Sequence, residues 1–273
     1  MAIPFMARVI TIKVRPAAAA APGGAASAPA ASSLPAPYAT NESPEAGASG
    51  GREFLIVIDD EGIGTGRESA VREAVTSLVQ GLTPADRVGI MAMKQGGVNV
   101  APSTRHSAVT EALPKIITTG SSSETVMDLS CRTKVMLGTL GGLLQNAPVN
   151  RTIAFFSAGM ASTTGDQMRT FESDSGVCQI RTNDLDELGK IAMGSPAQLF
   201  VVYHVEGMAN PANVTNGQSG LENVAGTTAG EMVRMSGNSE AIGSRIVESA
   251  GTYYIASLAG GGGPVRRVDA RVN

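Results

Sequence analysis

A three-layer α/β fold is what the sequence predicts, with a doubly wound, mostly parallel sheet carrying one short antiparallel edge strand. Three observations predict it. Short apolar runs at Phe54–Ile58, Ile153–Ser157 and Gln198–His204 have the length and continuity of strands covered on both faces. Segments with helical apolar spacing separate them, and such alternation builds parallel sheets with helices on either side. Gly96-Gly97 allows a tight turn between two strand-like runs, which places Val98–Ala101 as the antiparallel edge.

Taken in order, Phe54–Ile58 leads into an acidic, glycine-containing turn. Val71, Ala74, Val75, Leu78, Val79 and Leu82 then mark one face of a helix that ends at Thr83-Pro84. Arg87–Met93 is the next strand. Ser103 is placed to cap a helix with Val109, Ala112, Leu113, Ile116 and Ile117 on its apolar face and a kink at Pro114. The polar loop TTGSSSETVMDLS precedes a helix carrying Met136, Leu140, Leu143 and Leu144. After the strand Ile153–Ser157 come a helix at Asp184–Met193, the strand Gln198–His204, helices at Gly220–Thr228 and Ser239–Ser249, and a last strand at Thr252–Leu258. Met91, Met93, Met136 and Met193 read as core packing.

The ends differ from this pattern. Residues 1–15 contain a strand-like alternation over Ile10–Val14 with no sheet in view to join, and residues 16–51 collapse to Ala, Pro, Gly and Ser. That composition buries too little apolar surface to offset ordering, so it reads as a flexible linker. The ordered domain is expected over 52–259, followed by a tail or extra strand over 260–273, with Val265–Val272 as the strand.

Composition excludes several functions. Lys and Arg total 21 against 24 acids, for a net charge of −3, and Trp is absent, so there is neither the charge nor the base-stacking platform for a nucleic-acid partner, and none is expected. No apolar run reaches the ~20 residues of a membrane span. With only His106 and His204 present, a His-rich metal site is excluded. Ser157 has no evident His partner and Gly-x-Ser-x-Gly is absent, so no catalytic residues are assigned. His204 reads as packed and His106 as a surface residue.

The informative stretch is FLIVIDDEGIGTGRE, Phe54–Glu68. A strand-to-helix turn at the C-terminal edge of a sheet is where α/β proteins keep their sites. Gly62, Gly64 and Gly66 follow a Gly-x-Gly-x-Gly spacing instead of the dinucleotide fingerprint, and Asp59, Asp60 and Glu61 would repel a pyrophosphate. A phosphoryl-receiving domain needs an acceptor Asp after a middle strand and a Lys after a later one. Ala158 follows Ser157, and no Lys follows His204.

Together with that turn, LTPADRVGIMAM (Leu82–Met93), RTIAFFSAGM (Arg151–Met160), GLENVAGTTAGEMV (Gly220–Val233) and SRIVESAGTYYIASL (Ser244–Leu258) resemble successive segments of a bacterial branch of von Willebrand factor type A domains. In that branch a Leu-x-x-Leu-Ala-x-x-Thr-Gly-Gly-type turn precedes a helix and a Tyr-rich final strand. The resemblance implies a non-enzymatic interaction scaffold whose loops at the C-terminal edge recognise another protein. It also implies a cation site built from an Asp-x-Ser-x-Ser loop, a Thr and a further Asp, a set of hard oxygen ligands suited to Mg²⁺. Asp59 matches the first Asp, but Glu61 and Ile63 stand at the Ser positions and Ala158 at the last Asp; Thr133 or Ser130 could supply the Thr. The cation site is therefore expected to be degenerate and no cofactor is expected, with Asp59, Asp60 and Glu61 facing solvent. The candidate binding face comprises Asp59, Asp60, Glu61, Thr133 and Ser157. The alternative is a retained divalent-cation site or a metal-dependent enzyme on the Asp59-Asp60-Glu61 turn, with Asp59 and Glu61 as the possible ligands.

Cys131 and Cys178 are the only cysteines. Each is expected just before a helix, and parallel topology brings both helix starts to one sheet edge, so a disulfide between them is expected. This agrees with the exported, periplasmic or extracellular setting that the resemblance implies, although no signal peptide is visible. The alternative is two unpaired core thiols.

Overall fold

The computed structural model describes residues 9–12, 51–94, 96–163, 178–205, 207–210, 213–250 and 254–257. The linker expected over 16–51, apart from residue 51, and the strand expected at Val265–Val272 lie outside them. The chain divides into two compact units, one of Met1–Gly47 with Val247–Asn273 and one of Ala48–Ile246.

In the first unit, strand β1 (Val9–Ile12) pairs antiparallel with a C-terminal strand, Tyr254–Ser257, in register Val9 to Ser257. This corrects two expectations. The N-terminal strand has a partner, and the last strand joins it in a two-stranded ribbon instead of extending the main sheet. The pairing spans almost the whole chain, which is why neither segment reveals it alone.

The second unit holds a six-stranded sheet. Its strands are β2 (Glu53–Ile58), β3 (Arg87–Ala92), β4 (Asn99–Ser103), β5 (Arg151–Ser157), β6 (Gln198–His204) and β7 (Glu231–Met235), in the order β4-β3-β2-β5-β6-β7. All neighbours are parallel except β4, which is antiparallel to β3 at the edge. Six helices complete the described elements: α1 (Ser69–Gln80), α2 (Ser107–Ala112), α3 (Val126–Gln145), α4 (Thr182–Gly194), α5 (Val214–Thr227) and α6 (Glu240–Ala250). The three-layer α/β class is as expected.

The apolar runs form strands because both faces are covered. Leu55, Val57, Ile153, Phe155, Leu199 and Val201 pack with Met136 and Leu140 of α3, Leu185 and Leu188 of α4, and Leu221 and Val224 of α5. The alternate residues Phe54, Ile56, Ile58, Val88 and Ile90 are equally buried on the other face. Gly243 of α6 lies so close to the backbone of Ala74 and Leu78 that any side chain there would overlap α1.

Several local expectations change. Ser103 belongs to β4, and α2 is preceded by His106, whose Nε2 lies 2.8 Å from the Asp86 carbonyl oxygen. Pro114 ends α2 by passing it into a 3-10 turn, Leu113–Lys115. Helix α3 starts earlier than expected because Thr125 and Asp128 form a capping box, so Cys131 lies inside the helix. Strand β7 follows Gly230, so the Thr228-Ala229-Gly230 turn precedes a strand, not a helix. Met193 is 76% exposed and is not a core residue, whereas Met136 is buried and Met91 and Met93 are partly buried against the core.

Ion pairs close the amino edge of the sheet. Asp86 accepts from the backbone N–H groups of Arg52 and Thr83, and from Arg52 Nε and Nη2 at 3.2 and 2.8 Å. Glu53 pairs with both Arg87 and Arg151. The acids of that edge serve stability, which leaves the opposite, carboxyl edge as the place for a site.

Candidate functional site

Strand β2 delivers Asp59 to the carboxyl edge, where its backbone N–H bonds to the Phe156 carbonyl oxygen and fixes the turn against β5. The Asp59 carboxylate is fully committed. Oδ1 accepts from the Gly62 N–H at 3.0 Å, and Oδ2 accepts from Ser157 Oγ at 2.6 Å and from Arg132 Nη1 at 2.5 Å. Arg132 also donates through Nε to Glu124 Oε1 at 2.9 Å and through Nη1 to the Gly159 carbonyl oxygen at 3.3 Å. Side-chain exposure is 8% for Arg132 and 1% for Asp59, so the pair lies inside the protein. An ion pair at such depth needs further hydrogen bonds; Gly62 and Ser157 supply them to Asp59 and Glu124 to Arg132 Nε, while Arg132 Nη2 is buried without a partner. Burial pushes the Arg132 guanidinium down, but Asp59 and Glu124 outweigh it and hold the group above its ordinary range.

The turn sequence is explained by this pair. A Cβ on Gly62 would overlap both the Asp59 carboxylate and the Arg132 guanidinium, so only glycine lets them meet. Ile63 is fully buried and bridges to Met208. At the position where the resemblance calls for a hydroxyl, the chain has a core residue that pins the loop. Gly64 bridges to Gly120, and a side chain on Gly120 would strike the Ile63 carbonyl, so the first two loops touch through backbone.

The predicted residues divide accordingly. Asp59 and Ser157 meet as a bonded pair. Asp60 is buried, not solvent-facing as expected; its Oδ1 accepts from Lys94 N at 3.0 Å, and its carbonyl accepts from the Thr119 N–H. Burial raises the Asp60 carboxyl above its ordinary value, with the Lys94 N–H opposing. Glu61 is exposed, as expected. Thr133 Oγ1 accepts from the Ala161 N–H at 2.7 Å and so holds the loop after β5, and Ser130 Oγ donates to the Val126 carbonyl within its own helix. Neither hydroxyl joins the Asp59 cluster. Ala158 is fully buried.

Arg132 and Glu124 are the residues that sequence reasoning missed. A signal was present. Leu129, Arg132, Met136 and Leu140 share one face of α3, so an arginine interrupts the buried stripe. Buried arginines need carboxylates, and the acidic turn after β2 is the nearest supply. Glu61, Thr119, Ser121, Ser123, Glu124, Asp128 and Arg132 line an open depression of about 260 Å³.

The residues do not fit a divalent cation of the kind the resemblance implies. Two of the ligand positions are buried apolar residues, the Thr133 hydroxyl is used elsewhere, and both Asp59 oxygens already have donors. Among the described residues no group of three or more His, Cys, Asp or Glu side chains converges as a metal site.

Cys131 and Cys178 form a disulfide, as expected, with their Cα atoms 4.5 Å apart. It fastens α3, one residue before Arg132, to the segment leading into α4. Among the described residues no helix is long and apolar enough to cross a membrane.

No family model matches this chain, and no curated protein does. Among solved structures it is similar to the conserved hypothetical protein BatB from Bacteroides thetaiotaomicron, at 16% identity over 74% of this chain and 100% of that one, with a TM-score of 0.45. It is also similar to the PilB minor pilin from Streptococcus sanguinis, at 11% identity and a TM-score of 0.42, and to its D319A mutant, at 12% and 0.44. This chain spans 61% of the length of that pilin.

Proposed function

We propose that the chain is a non-enzymatic protein-interaction domain of the von Willebrand factor type A kind, working outside the cytoplasm. Its recognition surface is formed by the loops after β2 and β5 and the loop before α3, and its cation site is degenerate. The observation that carries this reading is the Asp59–Arg132 pair, which commits the most chemically capable carboxylate of the carboxyl edge to a structural role. Ser157 donates into that neutralised carboxylate, so neither group is arranged as a nucleophile with its base. What remains at this edge is a set of loops fastened to one another, with Glu61, Ser121 and Ser123 lining a depression at the surface. Rigid presentation of polar loops suits recognition, because little ordering entropy is lost on binding. The disulfide supports an oxidising compartment.

The test is cross-linking mass spectrometry on the full chain after capture from an exported-protein fraction. Cross-links from a retained protein to residues 61–66, 119–124 and 161–163 are expected, weakened by Glu61→Lys. Cross-links confined to other surfaces, or turnover in a panel of ester, phosphate and glycoside substrates, would refute the reading.

A further inference from the structure

We propose that the Arg132 guanidinium is a built-in substitute for a divalent cation, so that the carboxyl-edge loops are held together without metal. The inference rests on the interaction-domain reading for its functional meaning, but not for its test. Four observations carry it. The guanidinium donates to oxygens from three separate segments: through Nη1 to Asp59 Oδ2 in the turn after β2 and to the Gly159 carbonyl in the loop after β5, and through Nε to Glu124 Oε1 in the loop before α3. These are carboxylate and carbonyl oxygens, the donor set a hard cation takes. Arg132 is the only cation in direct contact with them among the described ion pairs. Gly62 is kept free of a side chain at the point where one would displace the guanidinium.

Charge accounts for the rest. Asp59 and Glu124 bring two negative charges into a buried space, and Arg132 offsets one while its planar fork bonds to both carboxylates. An arginine cannot be diluted out, chelated or deprotonated at ordinary pH. Loop geometry at this edge, and any recognition that depends on it, is therefore indifferent to divalent-cation concentration. Removing the guanidinium would leave Asp59, Glu124 and the Gly159 carbonyl converging on an unfilled space that a divalent cation neutralises fully.

Thermal unfolding of the full chain tests this without reference to any partner. For the wild type, the melting temperature is expected to be the same in chelator and in millimolar Mg²⁺ or Mn²⁺. Arg132→Ala is expected to lose about 10 °C in chelator and to recover most of it in millimolar Mn²⁺, with no recovery in Arg132→Ala/Asp59→Asn. If Arg132→Ala does not fold in chelator, refolding from denaturant with and without Mn²⁺ reads the same question. Recovery of disulfide-bonded monomer only with the metal supports the proposal. A wild-type melting temperature that rises with Mg²⁺ or Mn²⁺, or an Arg132→Ala protein indifferent to both in melting and refolding, overturns it. A failed partner capture leaves these results untouched.

Discussion

Gly62 and Arg132 are seventy residues apart in the chain, yet the missing side chain of one makes room for the charged group of the other. The glycine is needed for close approach and not for backbone freedom, unlike Gly66, which has φ +80° with nothing near its absent Cβ.

This contrast predicts two different costs. Gly62→Ala should destabilise by about 3 kcal/mol, because it pries apart a buried ion pair. Gly66→Ala should cost about 1 kcal/mol, the strain of a left-handed alanine. In an Arg132→Ala background the Gly62→Ala cost should fall, with a coupling of about 1 kcal/mol or more. Urea unfolding of the four proteins checks it. Additive costs would mean that Gly62 and Arg132 do not communicate.

Asp86 sets the acid limit of the fold. Burial pushes its carboxyl up, but hydrogen bonds from Arg52 and Thr83 and the Arg52 charge outweigh that and bring it down to about 2, from an ordinary 3.8. A folded value below the unfolded one gives stability that is present above about pH 4 and is lost as pH falls towards 2. The difference corresponds to about 2 kcal/mol. Asp86→Asn should therefore destabilise at neutral pH and flatten the stability profile between pH 4 and 2, measured by chemical denaturation across that range. An unchanged acid slope in the variant would place the acid sensitivity elsewhere.

The main sheet was legible because its evidence is local. Strands β2, β5 and β6 are apolar runs, α1 and α3 show their stripes, and the antiparallel edge is announced by Gly96-Gly97. What was missed depends on long-range partners. Strand β7, EMVRM, carries two charged residues in five and qualifies as a strand only because β6 lies beside it. The β1 ribbon has its partner at the other end of the chain. At the site, Asp59 and Ser157 were named from the strand ends, while Arg132 was hidden in a helix pattern that reads as amphipathic whichever way it faces. Its burial follows from the acids opposite, and those become its neighbours only on folding.

The Cys131–Cys178 disulfide closes a separation of 47 residues. On the chain-entropy estimate it stabilises by about 4 kcal/mol, and less if the reduced chain keeps structure. Guanidinium unfolding with and without reductant should show that loss, and Cys131→Ser/Cys178→Ser should match the reduced protein. A difference below about 1 kcal/mol would mean that the reduced chain already holds the segment before α4 against α3.

The end of α5 carries a correctable strain. The Ala229 N–H bonds to the Gly226 carbonyl and the Gly230 N–H to the Ala225 carbonyl, the pair of bonds that closes a helix through a left-handed residue. That residue is Ala229, at φ +52°, where the resembling bacterial turn has Gly as the first residue of its Gly-Gly pair. An L-alanine in this region costs about 1 kcal/mol, whereas glycine loses more backbone entropy on folding and gives part of the gain back. Ala229→Gly should still stabilise, by about 0.5 kcal/mol, and raise the melting temperature by about 1–2 °C for a domain of this size. Ala229 lies on the helix-to-strand turn before β7, so the change should leave the Asp59–Arg132 pair and any cation response untouched. Thermal unfolding of the single variant decides it: a lower melting temperature would mean that the alanine methyl contributes packing that outweighs its backbone strain.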